Sequence, residues 1–299
     1  MLITTSTTEM PTAGYGAAFL RALKSFALLR ESWIGMVGTA LILFWVLVAV
    51  FAPWLAPFDP NASIQPFAKP GMEAAKISGT FWLGTDHIGR DILSRVIWGS
   101  RTVLIYAPLA TLCAYTVGIL MGLAAGYRGG WVDDVLSRIA DIILSFPVLV
   151  LYIIIIATIG ASGINIIIAI TFASSPGIMR IVRGLTLDLR NRDYVAAAQT
   201  RGESDWRVMI VEILPNARGP LIVDACLRLG YVIITIGVLG FLGLGLPPPD
   251  PDWGGMVNET RQMAMAFPHM TIFPCIAISS LILGFNLLAD GLREISLRD

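Results

Sequence analysis

Residues 34–54 read IGMVGTALILFWVLVAVFAPW, a long apolar segment. It is 21 residues long and contains no Asp, Glu, Lys or Arg. A helix needs about 20 mostly apolar residues to cross the hydrocarbon core of a bilayer, so this stretch can span a membrane once. It has full spanning length and follows a long N-terminal region, unlike the shorter apolar core of a secretory signal peptide. We expect it to remain in the protein as a membrane anchor.

Five further apolar segments of similar length follow along the chain. They comprise residues 102–126, 136–159, 164–184, 221–246 and 271–290. Strands of a β-barrel would instead alternate apolar and polar residues over about ten positions. The sequence therefore predicts an all-α integral membrane protein with six transmembrane helices.

The composition of the 299-residue chain supports this class. Hydrophobic residues make up 56% and charged residues only 14%, against about 25% charged in an average soluble domain. The mean hydropathy is +0.74. The 21 basic and 21 acidic residues balance and no strongly basic half exists, which argues against a nucleic-acid-binding protein. The apolar content also excludes a disordered chain.

The distribution of Lys and Arg predicts the topology. With a cytoplasmic N-terminus, 14 of them fall in inside segments and 6 in outside segments, while Arg228 lies within a span. Basic residues concentrate on the cytoplasmic side, so we expect both termini to be cytoplasmic. The resulting loops are an external loop at residues 55–101 and a cytoplasmic loop at residues 185–219, with cytoplasmic tails at residues 1–33 and 292–299.

Known nucleotide-binding, metal-binding and catalytic patterns are missing from the sequence. It contains no G-x-x-x-x-G-K-[ST], no H-E-x-x-H and no G-x-S-x-G. Its two histidines and three cysteines lack metal-ligand spacing. We expect the cysteines to be small apolar packing residues: Cys113, Cys226 and Cys275. The expectation is a chain that is not an enzyme and binds no metal or other cofactor.

The loop at residues 55–101 follows a proline-rich turn that ends the first span. It closes with LGTDHIGRDILSR, residues 83–95. Ile88, Ile92 and Arg95 recur near helical spacing, which predicts a short interfacial helix before the second span. This helix is either a lead-in to the span or a contact for a partner.

The loop at residues 185–219 is long for a chain whose other inside loops are short. The run DYVAAAQTR, residues 193–201, favours a helix through its alanines. Gly202 can supply the left-handed residue that ends this helix. Small alanines would let the surface of another protein approach closely.

A second helix is expected directly after this glycine. Ser204 is a suitable N-cap and Asp205 lies in the first turn, where a negative charge favours a helix. Leu214-Pro215 should end it near Ile213, because the residue before proline disfavours the α conformation. We name residues 193–213 the two-helix knob and interpret it as a docking surface, with a simple connector as the alternative.

Polar residues within the spans are candidates for lining a solute path. Asp224 and Arg228 are one helical turn apart and can pair. Ionisable residues in spans usually face the interior of the bundle or a water-filled cavity, although a purely structural pair near the inner side is the alternative. Asn286 in the last span is a weaker candidate. A row of glycines predicts close packing of the second span against another helix: Gly118, Gly122 and Gly126.

Several stretches together resemble a known family, the permease subunits of ABC importers. The cytoplasmic signature of that family is E-A-A-x₃-G followed by L-P. Here it reads Ala196-Ala197-Ala198, then Gly202, then Leu214-Pro215. Ala196 replaces the usual glutamate, so this position lacks the charge for an ionic contact. The shape of the knob does not depend on that charge.

Other motifs narrow the resemblance to the dipeptide/oligopeptide/nickel type, and within it to the subunit with the long first external loop. The resemblance covers roughly residues 30–295. The matching motifs are LGTD at 83–86, GRD at 89–91, FLGLG at 241–245, PP at 248–249, WG at 253–254 and NLLADGLR at 286–293.

This resemblance implies the type I ABC importer permease fold and a location in the bacterial inner membrane. A similar permease pairs with a homologous second permease to form the path. Two separate ATPase subunits bind ATP and Mg on the cytoplasmic side, and an external binding protein delivers the solute. The residues to which the resemblance assigns docking of the ATPases are Ala196, Ala197, Ala198, Arg201, Gly202, Glu203, Ser204, Asp205 and Trp206.

The solute stays open at this point. The resemblance implies di- or oligopeptides, with nickel, glutathione or a sugar-derived compound as alternatives for a permease of the same fold. A secondary transporter would normally show repeated halves, and the first and last three spans show no such repeat. An intramembrane enzyme would need a catalytic pair or metal ligands, which the sequence lacks.

Overall fold

The computed structural model describes residues 32–75 and 78–296, so most of the expected tail at residues 1–33 lies outside the described residues. Helix α1 (Trp33–Val50) begins where the Ser32 hydroxyl accepts a hydrogen bond from the Gly35 amide at 3.3 Å. The short helix α2 (Ala52–Leu55) follows it. In the first loop, β1 (Met72–Glu73) pairs antiparallel with β2 (Thr80–Phe81).

The rest of the described chain is almost entirely helical. It also contains a π-helical segment, Val208–Ile213, and a 3-10 turn, Arg261–Met263. The helices are α3 (Ile92–Arg128), α4 (Gly130–Leu144), α5 (Val148–Ile159), α6 (Gly163–Leu189), α7 (Asp193–Thr200), α8 (Asp205–Arg207), α9 (Leu214–Phe241), α10 (Trp253–Thr260) and α11 (His269–Ser296).

Five helical stretches among the described residues are long and apolar enough to cross a membrane: α1, α3, α6, α8 continuing into α9, and α11. The pair α4 and α5 also passes this test, but the two helices are bent by 89°. Counting that bent pair as one span gives the expected six.

The third span therefore differs from the straight helix that its hydropathy suggested. Helix α4 ends at Leu144, and α5 begins only after Pro147. Proline has no backbone N–H and disfavours the α conformation in the residue before it, so Phe146-Pro147 interrupts the span. Hydropathy measures length and polarity but carries no direction, which is why it did not reveal the bend.

The prediction of a separate short interfacial helix before the second span is wrong. Residues 92–101 are instead the first turns of α3, which runs without interruption to Arg128. Asp91 caps this helix, because its carboxylate accepts hydrogen bonds from the Ser94 amide at 2.8 Å and the Ser94 hydroxyl at 2.6 Å. Ile92 and Arg95 are buried, so packing fixes these turns onto the bundle.

Helices α3 and α6 pack closely along the predicted glycine row. Gly118, Gly122 and Gly126 lie against Ile178, Val182 and Thr186 of α6, respectively. A Cβ at Gly122 would come within 2.5 Å of the Val182 Cβ. The prediction of a packing row is confirmed, since only glycine permits this approach.

Helix α1 is held against α11 along its whole length. The Ser32 hydroxyl donates to Glu294 at 2.8 Å, and the Trp45 indole N–H donates to the Ser280 hydroxyl at 2.9 Å. A Cβ at Gly38 would meet the α11 backbone at 2.5 Å. The first span is thus an integral part of the bundle.

The three cysteines are free thiols, and they do not all pack internally as expected. Cys113 and Cys275 lie on the surface of the single chain, and Cys226 is half-buried. In a membrane bundle the outer surface of a chain faces lipid or a neighbouring subunit, so apolar side chains are tolerated there.

Candidate coupling surface and transmembrane cavity

The turn at the centre of the two-helix knob has the geometry that the sequence predicted. The Glu203 amide donates to the Ala198 carbonyl at 3.2 Å, and the Gly202 amide donates to the Gln199 carbonyl at 2.9 Å. Gly202 has a φ of +77°. This pair of hydrogen bonds around a left-handed residue is the Schellman motif, which ends α7 in a defined direction.

The second half of the knob differs from the prediction. Ser204 occupies the N-cap position, but its side chain makes no capping hydrogen bond. Leu214-Pro215 does not end the helix, because α8, the π-helical segment and α9 run on as one stretch. Pro215 lies in the first turn of α9, where its missing N–H costs little, and the wider π turn before it relieves the clash of the proline ring.

The inner side of the knob is anchored to the ends of two spans. Val195, Ala198 and Met209 are fully buried in one apolar cluster with residues of α3 and α6. The Gln199 side chain donates to the Tyr127 hydroxyl of α3 at 3.0 Å. The knob is therefore packed directly against these two spans.

Salt bridges brace the turn from outside. Arg201 pairs with Glu203 at 2.8 Å and with Glu212 at 3.5 Å, and Arg207 pairs with Glu203 at 3.4 Å. Asp205 lies 3.6 Å from Arg128 at the end of α3. Exposed pairs of this kind contribute at most about 1 kcal/mol each, so they orient the turn more than they stabilise it.

The outer face of the knob combines small residues with a large apolar ridge. Ala196, Ala197 and Gly202 are exposed, and Trp206 is exposed beside them. Ala198, one of the nine residues that the resemblance assigned to docking, is fully buried and contacts the core instead.

Two apolar residues of this face were missed by sequence reasoning. Ile210 and Val211 have 45% and 53% of their surface exposed. Ile210 follows Trp206 by four residues, the helical spacing that would have revealed it, whereas Val211 follows by five and has no such signal.

The predicted pair within the bundle forms, and a third residue joins it. The Arg228 Nε donates to the Asp224 Oδ2 at 2.8 Å. The Tyr115 hydroxyl of α3 donates to the same carboxylate oxygen. No sequence pattern pointed to Tyr115, because it is 109 residues away from Asp224 in the chain and its contact depends on how α3 and α9 pack.

A cavity of about 280 Å³ lies beside this pair. Its lining includes Arg228 and Tyr231 of α9, Tyr152 of α5 and Ser174 of α6. The Tyr152 and Ser174 hydroxyl oxygens are 3.4 Å apart. Asn286, the remaining candidate, is exposed on α11 and does not line this cavity.

A second charged cluster ties the first loop to the segment before α11. Arg90 lies 2.6 Å from Asp86 and also pairs with Glu259. Nearby, Asp252 caps α10 by accepting from the Gly254 amide at 3.3 Å and the Gly255 amide at 3.0 Å. Burial raises the pKa of Asp252 to about 6, although these backbone donors oppose the shift.

Across residues 32–75 and 78–296, no three His, Cys, Asp or Glu side chains lie close enough to share a metal ion.

Comparison with known proteins connects these features. Residues 118–299 match the family described as "Binding-protein-dependent transport system inner membrane component", and residues 25–70 match "N-terminal TM domain of oligopeptide transport permease C". The first match covers more than half of the chain and includes both the two-helix knob and the Asp224–Arg228 pair.

Curated relatives align over nearly the whole chain. A glutathione transport system permease protein GsiD of Pectobacterium atrosepticum is 36% identical over 272 residues, 89% of each chain. A dipeptide transport system permease protein DppC of Alkalihalophilus pseudofirmus is 38% identical over 271 residues, 91% of this chain and 88% of the relative. The six spans, the glycine turn of the knob and these matches agree: the chain belongs to the permease family of binding-protein-dependent ABC importers, in its dipeptide/oligopeptide group.

Proposed function

We propose that this chain forms, with a homologous second permease, the path by which an ATP-driven importer takes up di- or oligopeptides. An external binding protein delivers the solute, and two separate ATPase subunits bind ATP and Mg. The names of the relatives support a peptide, and they make glutathione, itself a tripeptide, the second candidate.

The observation that carries the proposal is the construction of the two-helix knob. Its inner side is buried against α3 and α6, while its outer side exposes two alanines, Gly202 and the apolar ridge of Trp206, Ile210 and Val211. An exposed apolar ridge on a rigid support is typical of a protein-docking surface. Closure of the ATPases on ATP would push this surface and rock the attached spans between inward-facing and outward-facing states.

The proposal includes an orientation. The bias of basic residues supports a topology in which both termini and the knob are cytoplasmic and the first loop is external. The chain is then a multi-pass protein of the bacterial inner membrane whose knob lies on the side where ATP is available.

The direct test is reconstitution of the complete transporter, with its partner permease, ATPases and binding protein, in proteoliposomes. We expect uptake of radiolabelled trialanine that requires ATP, the binding protein and this chain. Uptake of glutathione without trialanine would select the second candidate. ATP-independent uptake driven by an ion gradient would refute the importer mechanism.

A further inference from the structure

The cavity beside Arg228 lies near the middle of the bundle. Arg228 is at the centre of α9, which runs from Leu214 to Phe241. At 1.5 Å per residue it is about 20 Å from either end of that helix. A charged pair this deep is costly in a bilayer unless it faces a cavity or a polar partner.

The geometry of the pair leaves one edge of the guanidinium turned away from Asp224. The Asp224 Oδ2 accepts from the Tyr115 hydroxyl and from the Arg228 Nε. The two terminal nitrogens of Arg228 lie 3.5 and 3.6 Å from the position that a Cβ at Gly177 of α6 would occupy. These nitrogens therefore lie close to α6 at Gly177. The Arg228 side chain also lines the cavity, and its guanidinium has the planar fork that suits a carboxylate.

The break in the third span brings the start of α5 to the wall of the same cavity. Val148, the first residue of α5, lines the cavity. The first amides of a helix have no acceptor within the helix, and this end carries a partial positive charge. Broken spans present helix N-termini to anionic groups of solutes in this way in other transporters.

The size of the cavity limits what it can hold. Its volume of about 280 Å³ lies just below the range of about 300–1,000 Å³ for whole small-molecule ligands. The hydroxyls of Tyr152 and Ser174 and the apolar side chains of Val148 and Val232 complete its wall. It can accept one end of a peptide, but not an entire oligopeptide.

We propose that this cavity is a transit site for a carboxylate of the solute, which in a peptide is the C-terminal carboxylate with its terminal residue, bound by Arg228. This inference rests on the proposed function and deepens it.

The test must distinguish solute binding from a structural ion pair. Arg228→Gln removes the fork but leaves Asp224 unpaired, so it is compared with the double variant Asp224→Asn/Arg228→Gln, which leaves no lone charge. Arg138→Gln, at an exposed arginine of α4 that is not part of the cavity lining, is the matched control.

Trialanine uptake is measured in the complete reconstituted transporter. We expect both Arg228 variants to lower uptake by about tenfold to a hundredfold, since a hydrogen bond to a charged group is worth that much. ATP hydrolysis stimulated by the binding protein should persist, and the control should transport normally. Wild-type uptake by the double variant would show that the pair is only structural and would overturn the inference.

A binding measurement tests the carboxylate itself. The permease pair with its ATPases, in nanodiscs and without the binding protein, should bind trialanine about tenfold or more tightly than trialanine amide, and Arg228→Gln should abolish the difference. Equal affinity of the wild type for acid and amide would overturn the inference. If the wild type imports glutathione but no trialanine, the proposed peptide function fails. The inference is then judged by the same variants with glutathione as the solute, where unchanged uptake would overturn it.

Discussion

Gly202 offers the sharpest test of the two-helix knob. Its φ of +77° is a conformation that costs a residue with a Cβ about 1–2 kcal/mol. No atom lies within 4 Å of the position of a Cβ at Gly202, so steric crowding adds nothing. The penalty of Gly202→Val is therefore purely a backbone effect. It lowers the equilibrium constant for forming the native turn about fivefold to thirtyfold.

The variant should act on the knob without touching the spans. We expect Gly202→Val to insert normally and to pair with the second permease, while transport falls and the ATPases are retained poorly or hydrolyse ATP without moving solute. The assay is affinity purification of the permease pair with its ATPases, followed by uptake in proteoliposomes.

Two comparison variants separate the backbone effect from the added side chain. Gly202→Asn should be milder, because asparagine tolerates the left-handed conformation. Gly219→Val adds the same side chain at an exposed glycine of α9 with an ordinary φ and open space around it, and it should retain the ATPases. Ala196→Glu, which restores the residue usual in the family at this exposed position, should be tolerated if an ATPase subunit offers the matching contact. Normal uptake and full ATPase retention by Gly202→Val would refute the docking role and leave the loop a connector.

Three further predictions concern packing, topology and pH. Gly122→Ala should destabilise the α3–α6 contact by about 1–3 kcal/mol and lower the thermal midpoint in detergent. The control Gly184→Ala, whose Cβ meets nothing within 4 Å, should leave the midpoint unchanged. Equal midpoints for the two variants would contradict the packing argument. In a background with the three native cysteines replaced by alanine, Ser78→Cys should react with a membrane-impermeant thiol reagent in intact cells and Asn191→Cys should not; the reverse pattern would invert the topology. The Asp252 carboxyl has a folded pKa of about 6, above the unfolded value of about 3.9. It therefore contributes stability that is present below about pH 4 and lost as the pH rises through 6. Between pH 5 and 7 the thermal midpoint should fall in the wild type and fall less in Asp252→Asn, and parallel curves would refute this assignment.

Features that depend on local chemistry could be predicted from the sequence. The length of the apolar segments predicted the spans, because the bilayer thickness sets a minimum for each helix. The left-handed turn at Gly202 and the pairing of Asp224 with Arg228 followed from spacings of a few residues. The glycine row predicted its own packing role, since a missing Cβ is useful only where another helix comes close.

Only the tertiary structure decided where these elements lie relative to one another. The break after Leu144 follows from the local Phe146-Pro147 pair, but the 89° angle between the two helices is absent from a hydropathy profile. The cavity brings together side chains from α3, α5, α6 and α9, and Tyr115 joins Asp224 across 109 positions of sequence. Pro215 continues a helix that it was expected to end, because the π-helical segment before it accommodates the ring. Such contacts arise from the packing of distant segments, so no local pattern of residues encodes them.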